Sequence, residues 1–108
     1  MPYIKKDLRE LLDKSIDELS ETITAISIRD GSTETAYAGL LNYTCTRLAM
    51  KIIDLRFGEI RYGTIATITG VFKNVADEFY RRIAAPYEDK QIEKNGDVDM
   101  YEKYGSHA

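Results

Sequence analysis

The spacing of apolar residues in the first quarter of the chain constrains the fold more than any other feature. From Asp7 to about Ile28, apolar residues recur every three or four positions, and charged residues occupy the opposite face. That spacing predicts an amphipathic helix, because 3.6 residues complete one helical turn. The β-branched segment Thr22–Ile28 also suits a strand, and Asp30-Gly31 can end the helix. The apolar face consists of Leu8, Leu12, Ile16, Leu19, Ile23 and Ile26.

A second helix is predicted from a cap at Ser32 or Thr33 to about Phe57. It has two faces suited to packing, so we expect it at the centre of a bundle or at a subunit interface. Its larger apolar face consists of Tyr37, Leu41, Cys45, Leu48, Ile52 and Leu55. Its face of mostly small side chains, which lets another helix approach closely, consists of Ala38, Gly39, Asn42, Thr46, Ala49 and Ile53. Its exposed strip consists of Tyr43, Arg47, Lys51 and Asp54.

A third helix is predicted from about Thr64 to Ala85, after a turn over Gly58–Gly63. The segment Thr64–Gly70 is rich in β-branched residues and competes as a strand, but the helical phase continues through it. Its apolar face consists of Ile65, Ile68, Phe72, Val75, Ala76, Phe79 and Ile83. Two ion pairs with the acid four residues before the base are expected on it: Asp77 with Arg81, and Glu78 with Arg82.

Pro86 is expected to end or kink the third helix, because proline lacks the backbone N–H and clashes with the preceding turn. About two further turns fit between Glu88 and Lys94, before Asn95-Gly96 stops them. The sequence therefore predicts an all-α fold: a three-helix bundle plus a short C-terminal helix, completed by self-association. Residues 1–96 form the predicted single helical domain, and residues 97–108 the predicted flexible tail.

Composition excludes several classes of protein. The net charge of −3 argues against a polyanion partner, which usually needs clustered Lys and Arg. A single cysteine, Cys45, allows no intrachain disulfide and favours a reducing, cytoplasmic compartment. No apolar run reaches the length of a membrane span or a signal peptide. The only histidine, His107, lies in the tail, so no Cys-His or Ser-His-Asp arrangement is expected, and no cofactor is predicted.

Helix carboxylates support one alternative function. Glu18 and Glu21, with Asp77 and Glu78, are the best available ligands for a divalent-metal-dependent nucleotide hydrolase of the all-α type. Glu18 and Glu21 project from the face opposite Leu12 and Leu19, however, whereas a metal site in a bundle needs ligands that point inward. A solvated face is the simpler interpretation, so no metal site is predicted.

Two further groups of polar residues are candidates for interactions. Asn42, Tyr43 and Arg47 lie along the second helix, where Arg47 can meet an anion or a neighbouring subunit. The simpler interpretation is an exposed strip in which Arg47 has Tyr43 and Asp54 as neighbours on its own helix. The second group mixes aromatic rings and guanidinium groups, as binders of single-stranded nucleic acid do, and consists of Tyr80, Arg81, Arg82 and Tyr87. The adjacent carboxylates, Glu78 among them, would repel phosphate, so a nucleic-acid accessory role is kept only as an alternative.

Two segments carry a resemblance to a known group of proteins: GLLNYTCTRL at Gly39–Leu48 and EFYRRIAAPYEDKQIEKNGDV at Glu78–Val98. Over roughly Leu40 to Val98 the chain resembles a small uncharacterised family found in phage and bacterial genomes. The resemblance implies an all-α fold and a phage or prophage origin, and it implies no catalytic residues. The expected function is that of a small, non-enzymatic helical interaction or assembly protein, a homo-oligomer through the second helix, whose small-molecule ligand, if any, is not indicated.

Overall fold

The computed structural model describes residues 1–29 and 34–105 and contains five α-helices in those ranges. They are α1 (Lys6–Arg29), α2 (Ala36–Phe57), α3 (Tyr62–Phe79), α4 (Ala85–Asn95) and α5 (Asp99–Tyr104). A π-helical turn, Tyr80–Ala84, joins α3 to α4. Among the described residues there is no strand, so the all-α prediction is confirmed. The predicted stop at Asp30-Gly31 and the predicted caps Ser32 and Thr33 lie outside the described residues.

The two β-branched segments that also suited strands are helical, in α1 and in α3. Threonine hydroxyls in both segments donate hydrogen bonds to the carbonyl oxygen one turn earlier. Thr24 bonds to Ser20 at 2.8 Å, and Thr67 bonds to Gly63 at 2.9 Å. Each hydroxyl therefore finds its acceptor within its own helix, and β-branching does not divert the backbone into a strand.

Gly58 ends α2 in the left-handed conformation, with φ of 72°. Its N–H donates to the carbonyl oxygens of Ile53 and Asp54, at 3.2 and 3.0 Å, and so satisfies acceptors that the last helical turn leaves open. Helix α3 already begins at Tyr62, so the predicted turn Gly58–Gly63 is shorter than expected. Gly63 lies within α3, and in this turn positive φ is found at Gly58.

The sequence predicts that Pro86 ends or kinks the third helix. In the structure the helical backbone continues past Pro86. The N–H of Ala85 bonds to the carbonyl oxygen of Tyr80, five residues back, which defines the π turn before α4. Pro86 then lies in the first turn of α4, where its missing N–H and fixed φ are tolerated. Gly96 closes α4 with a positive φ of 87°, in agreement with the predicted stop at Asn95-Gly96.

The chain divides into two compact units, Met1–Thr69 and Gly70–Ala108. A single helical domain over residues 1–96 stays a prediction. In the first unit α1 and α2 contact each other, and in the second the π turn contacts α4. Helix α5 lies within the predicted tail, whose flexibility stays a prediction. Of the described residues only Ile53 is buried, with 6% of its surface exposed.

Candidate interaction surfaces

The apolar stripe of α1 is largely uncovered. Leu8, Leu12, Ile16 and Leu19 keep between 42% and 52% of their surface exposed. Every residue from Lys6 to Thr22 is in the exposed class, and half-burial begins only at Ile23, followed by Ile26 and Ser27. The α1 stripe, defined as Leu8, Leu12, Ile16 and Leu19, is thus a continuous apolar face that water reaches over most of the helix.

The small-residue face of α2 forms a shallow surface depression. Ala38, Gly39, Asn42, Tyr43 and Thr46 line it, and all five are exposed. A methyl group added at Gly39 would meet no atom of the described residues within 4 Å, so none of them closes over this position. The structure therefore brings together two of the residues singled out by sequence, Asn42 and Tyr43.

The C-terminal part of this same face is covered to a greater degree. Ala49 is half-buried and Ile53 is buried. Arg47 and Asp54, on the exposed strip of α2, both lie in the exposed class, as the sequence predicts.

An apolar groove that sequence reasoning missed lies between the end of α2 and the start of α3. It measures about 450 Å³, and its apolar wall includes Ile52, Ile53 and Phe57. At its edge Arg61 pairs with Glu59 at 2.8 Å, so the guanidinium charge is already compensated. The i,i+2 spacing of Glu59 and Arg61 in the interhelical turn is the only signal in the sequence that points to this pair.

The π turn in the second unit collects most of the other predicted polar residues. The Tyr80 hydroxyl donates a hydrogen bond to the Glu88 carboxylate, and Arg81 Nε donates to Glu78 Oε1 at 2.7 Å. The sequence predicts a Glu78–Arg82 pair, but the structure pairs Glu78 with Arg81, three residues along the helix.

The hydrogen bond to Glu88, and then the negative charge of that carboxylate, raise the pKa of Tyr80 above its ordinary value of 10.0. A smaller contribution in the same direction comes from Tyr101 of α5. Arg82 and Tyr87 lie exposed beside this cluster.

Helix geometry explains why Tyr80 meets Glu88. At about 100° per residue, positions eight apart in a regular α-helix differ by about 800°, which leaves them about 80° apart around the axis. A π turn accommodates one extra residue, so the eight steps act as about seven, or about 700°. Tyr80 and Glu88 then lie within about 20° of the same line, and their side chains can meet.

The carboxylates considered for metal binding do not form a cluster in the described part of the chain. Glu18 and Glu21 are exposed on α1, and Asp77 is exposed on α3. Glu78 is half-buried and bonded to Arg81. In residues 1–29 and 34–105, no group of three or more His, Cys, Asp or Glu side chains is arranged to hold a metal ion. Within those same ranges, no helix is long and apolar enough to cross a membrane.

The comparisons with known proteins identify a family and give no activity. Searches of the curated proteins and of the solved structures found no match to this chain. A family model, described as a domain of unknown function (DUF6899), matches residues 1–98. The match includes α1, which the resemblance seen in the sequence left out, and it ends immediately before α5. The expectation of an uncharacterised family is confirmed: the chain belongs to the family of the domain of unknown function DUF6899.

Proposed function

We propose that this chain is a non-enzymatic helical interaction protein that assembles with further copies of itself. The observation that carries the proposal is uncovered helix surface: Ala38, Gly39 and Thr46 on the small-residue face of α2 are exposed, and the α1 stripe stays about half exposed. Exposed apolar patches of this kind mark protein interaction sites in folded proteins. Isolated helices are marginally stable in water, so helices like these gain most of their stability from packing.

A second copy of the chain is the partner that this surface favours. A helix that is stable only when packed needs its partner to be present when it folds. Another copy of the same chain is always made alongside it. Symmetric pairing also covers the same face on both chains at once, which doubles the apolar surface removed from water. The resulting gain in stability rises with protein concentration.

The small-residue face of α2 is the proposed contact. Ala38, Gly39 and Thr46 are small and exposed, so a helix from a second copy can approach α2 closely. Asn42 supplies a polar side chain at the centre of the same face, where it can form a hydrogen bond across the contact and fix its register. Arg47, on the adjacent strip, is available to pair with a carboxylate of the neighbouring copy.

The test replaces one small side chain on this face with a larger charged one. Ala38→Glu places a carboxylate in the contact, so its solution mass by light scattering should fall toward that of one chain, 12.3 kDa. Ala38→Ser is the matched control, because it keeps a small side chain, and its mass should equal that of the wild type. A wild-type chain that is monomeric at tens of micromolar would refute the proposal. An Ala38→Glu variant with wild-type mass would refute this face as the contact.

The proposal also covers the cellular location of the protein and the origin of its gene. We infer a reducing, cytoplasmic location, supported by the single cysteine, Cys45, which is free and half-buried in α2. A phage or prophage origin follows from the resemblance of the two segments Gly39–Leu48 and Glu78–Val98. Fractionation of cells that express the tagged chain would test the location, and recovery in a membrane pellet would contradict it.

A further inference from the structure

We infer that α1 pairs with α1 of a second copy, parallel and in register, along a seam formed by Leu12, Ile16 and Leu19. This inference rests on the proposed self-association and gives it a second contact surface, distinct from the small-residue face of α2. Its basis is the combination of an uncovered stripe, a specific order of side chains along it, and mostly uncharged residues on either side.

The order of side chains is that of a two-stranded coiled coil. From Leu12 the apolar residues follow at alternating steps of four and three, through Ile16, Leu19, Ile23 and Ile26. Ile16 and Ile23 then occupy a positions of a heptad, and Leu12, Leu19 and Ile26 occupy d positions; within the proposed seam a is isoleucine and both d residues are leucine. β-branched residues at a with leucine at d favour parallel pairs over larger assemblies. The pattern is therefore complementary to itself, which identifies a second copy of the helix as the occupant.

The residues that flank the seam do not oppose the pairing of identical helices. Positions e and g of the central heptads carry Asp13, Ser15, Ser20 and Thr22, of which only Asp13 is charged. The hydroxyls of Ser20 and Thr22 donate to the carbonyl oxygens of Ile16 and Glu18, at 2.7 and 3.1 Å. These flanking side chains are thus satisfied within α1, and the paired helices meet no row of like charges.

The free part of the stripe is long enough for two helices to pair. The stripe from Leu8 to Leu19 spans 12 residues, all in the exposed class, or about 17 Å of helix at 1.5 Å per residue. The stripe continues into Ile23 and Ile26, which are already half-buried in the first unit. Pairing through Leu12, Ile16 and Leu19 would therefore extend an apolar contact that the chain begins on its own.

Disulfide trapping tests both the face and the direction of the pairing. In a Cys45→Ser background, Ile16→Cys places two thiols opposite each other in a parallel, in-register pair, within reach of a disulfide. Lys14→Cys, on the outer face of the same helix, is the control. Under a mild oxidant we expect at least ten times more cross-linked dimer from Ile16→Cys than from Lys14→Cys. Equal yields, or no dimer from Ile16→Cys, would overturn the inference.

Solution mass separates this inference from the proposed function. Ile16→Glu should lower the mass by light scattering, whereas Lys14→Glu should leave it at the wild-type value, with helicity checked by circular dichroism. If the wild type is an oligomer and Ile16→Glu has the same mass, the α1 inference fails and the proposed self-association stands. A monomeric wild type would overturn both.

Discussion

Replacing Pro86 with alanine should convert the π turn Tyr80–Ala84 into ordinary α-helix. The new N–H at position 86 can donate to the carbonyl oxygen of Arg82, and alanine has the strongest helix propensity. The turn would then lose its extra residue, and Glu88 would rotate by about 100° around the axis relative to Tyr80. That rotation takes the carboxylate out of reach of the phenol. The pKa of Tyr80, which the Glu88 contact raises, should fall toward its ordinary value of 10.0.

The assay is a pH titration by carbon NMR with labelled tyrosine, in which Tyr80→Phe identifies the signal of Tyr80 among the eight tyrosines. A second variant gives the opposite expectation. Deleting Ala84 in the Pro86→Ala background leaves the two partners seven positions apart along a regular helix, and about 700° aligns them again. The raised pKa of Tyr80 should return in that double variant.

Two results would refute this reasoning. If the pKa of Tyr80 stays raised in Pro86→Ala, the π turn does not set the alignment of Tyr80 with Glu88. If it stays at its ordinary value after the deletion of Ala84, the angular relation between the two residues is not what controls their contact. Glu88→Gln serves as the reference, because it keeps an acceptor oxygen but removes the negative charge that also raises this pKa.

Three further predictions concern stability. Ile53→Ala should lower the free energy of unfolding, measured in urea, by about 2–4 kcal/mol. Ile52→Ala, at a half-exposed neighbour, should lower it by only about 1 kcal/mol. Equal losses would contradict the burial of Ile53. Gly58→Ala should lower the free energy of unfolding by about 1–2 kcal/mol because φ is positive there. Gly70→Ala in α3 should raise it by about 0.5–1 kcal/mol. Changes of the same sign would argue against a left-handed cap at Gly58. The folded chain holds the Tyr80 proton more tightly than the unfolded chain, so this contribution to stability is present below pH about 10 and is lost as pH rises through the raised pKa. The wild type should therefore lose more stability than Tyr80→Phe between about pH 9 and about pH 11, and identical losses would speak against the contact.

Helix positions could be predicted from the sequence because periodicity is a local property. The predicted first helix, Asp7–Ile28, differs from α1 by one residue at each end, and the predicted end of the second helix at Phe57 is that of α2. The stripe Leu8–Leu19 and the small residues of α2 lie on single faces because 3.6 residues per turn requires it. Such arguments need no knowledge of the rest of the chain.

The features that the sequence could not predict depend on small differences in free energy or on which side chains pack against each other. Pro86 has no N–H to donate to the preceding helical turn. The free energy lost with that hydrogen bond competes with the free energy of accommodating one extra residue in a π turn before it. The π turn brings Tyr80 to Glu88. Periodicity also shows which face of α1 is apolar, but it does not show how much of that face the rest of the same chain covers. Ile53 and Ile52 are adjacent isoleucines, and only their surroundings make one buried and the other half exposed.

The central claim is that a second copy of the chain covers the apolar faces left open by one. Thermal unfolding followed by circular dichroism over a hundredfold range of protein concentration tests it most directly. If assembly and folding are linked, the midpoint temperature should rise steadily with concentration, because mass action favours the assembled state. A cooperative transition whose midpoint is the same at every concentration would contradict the claim.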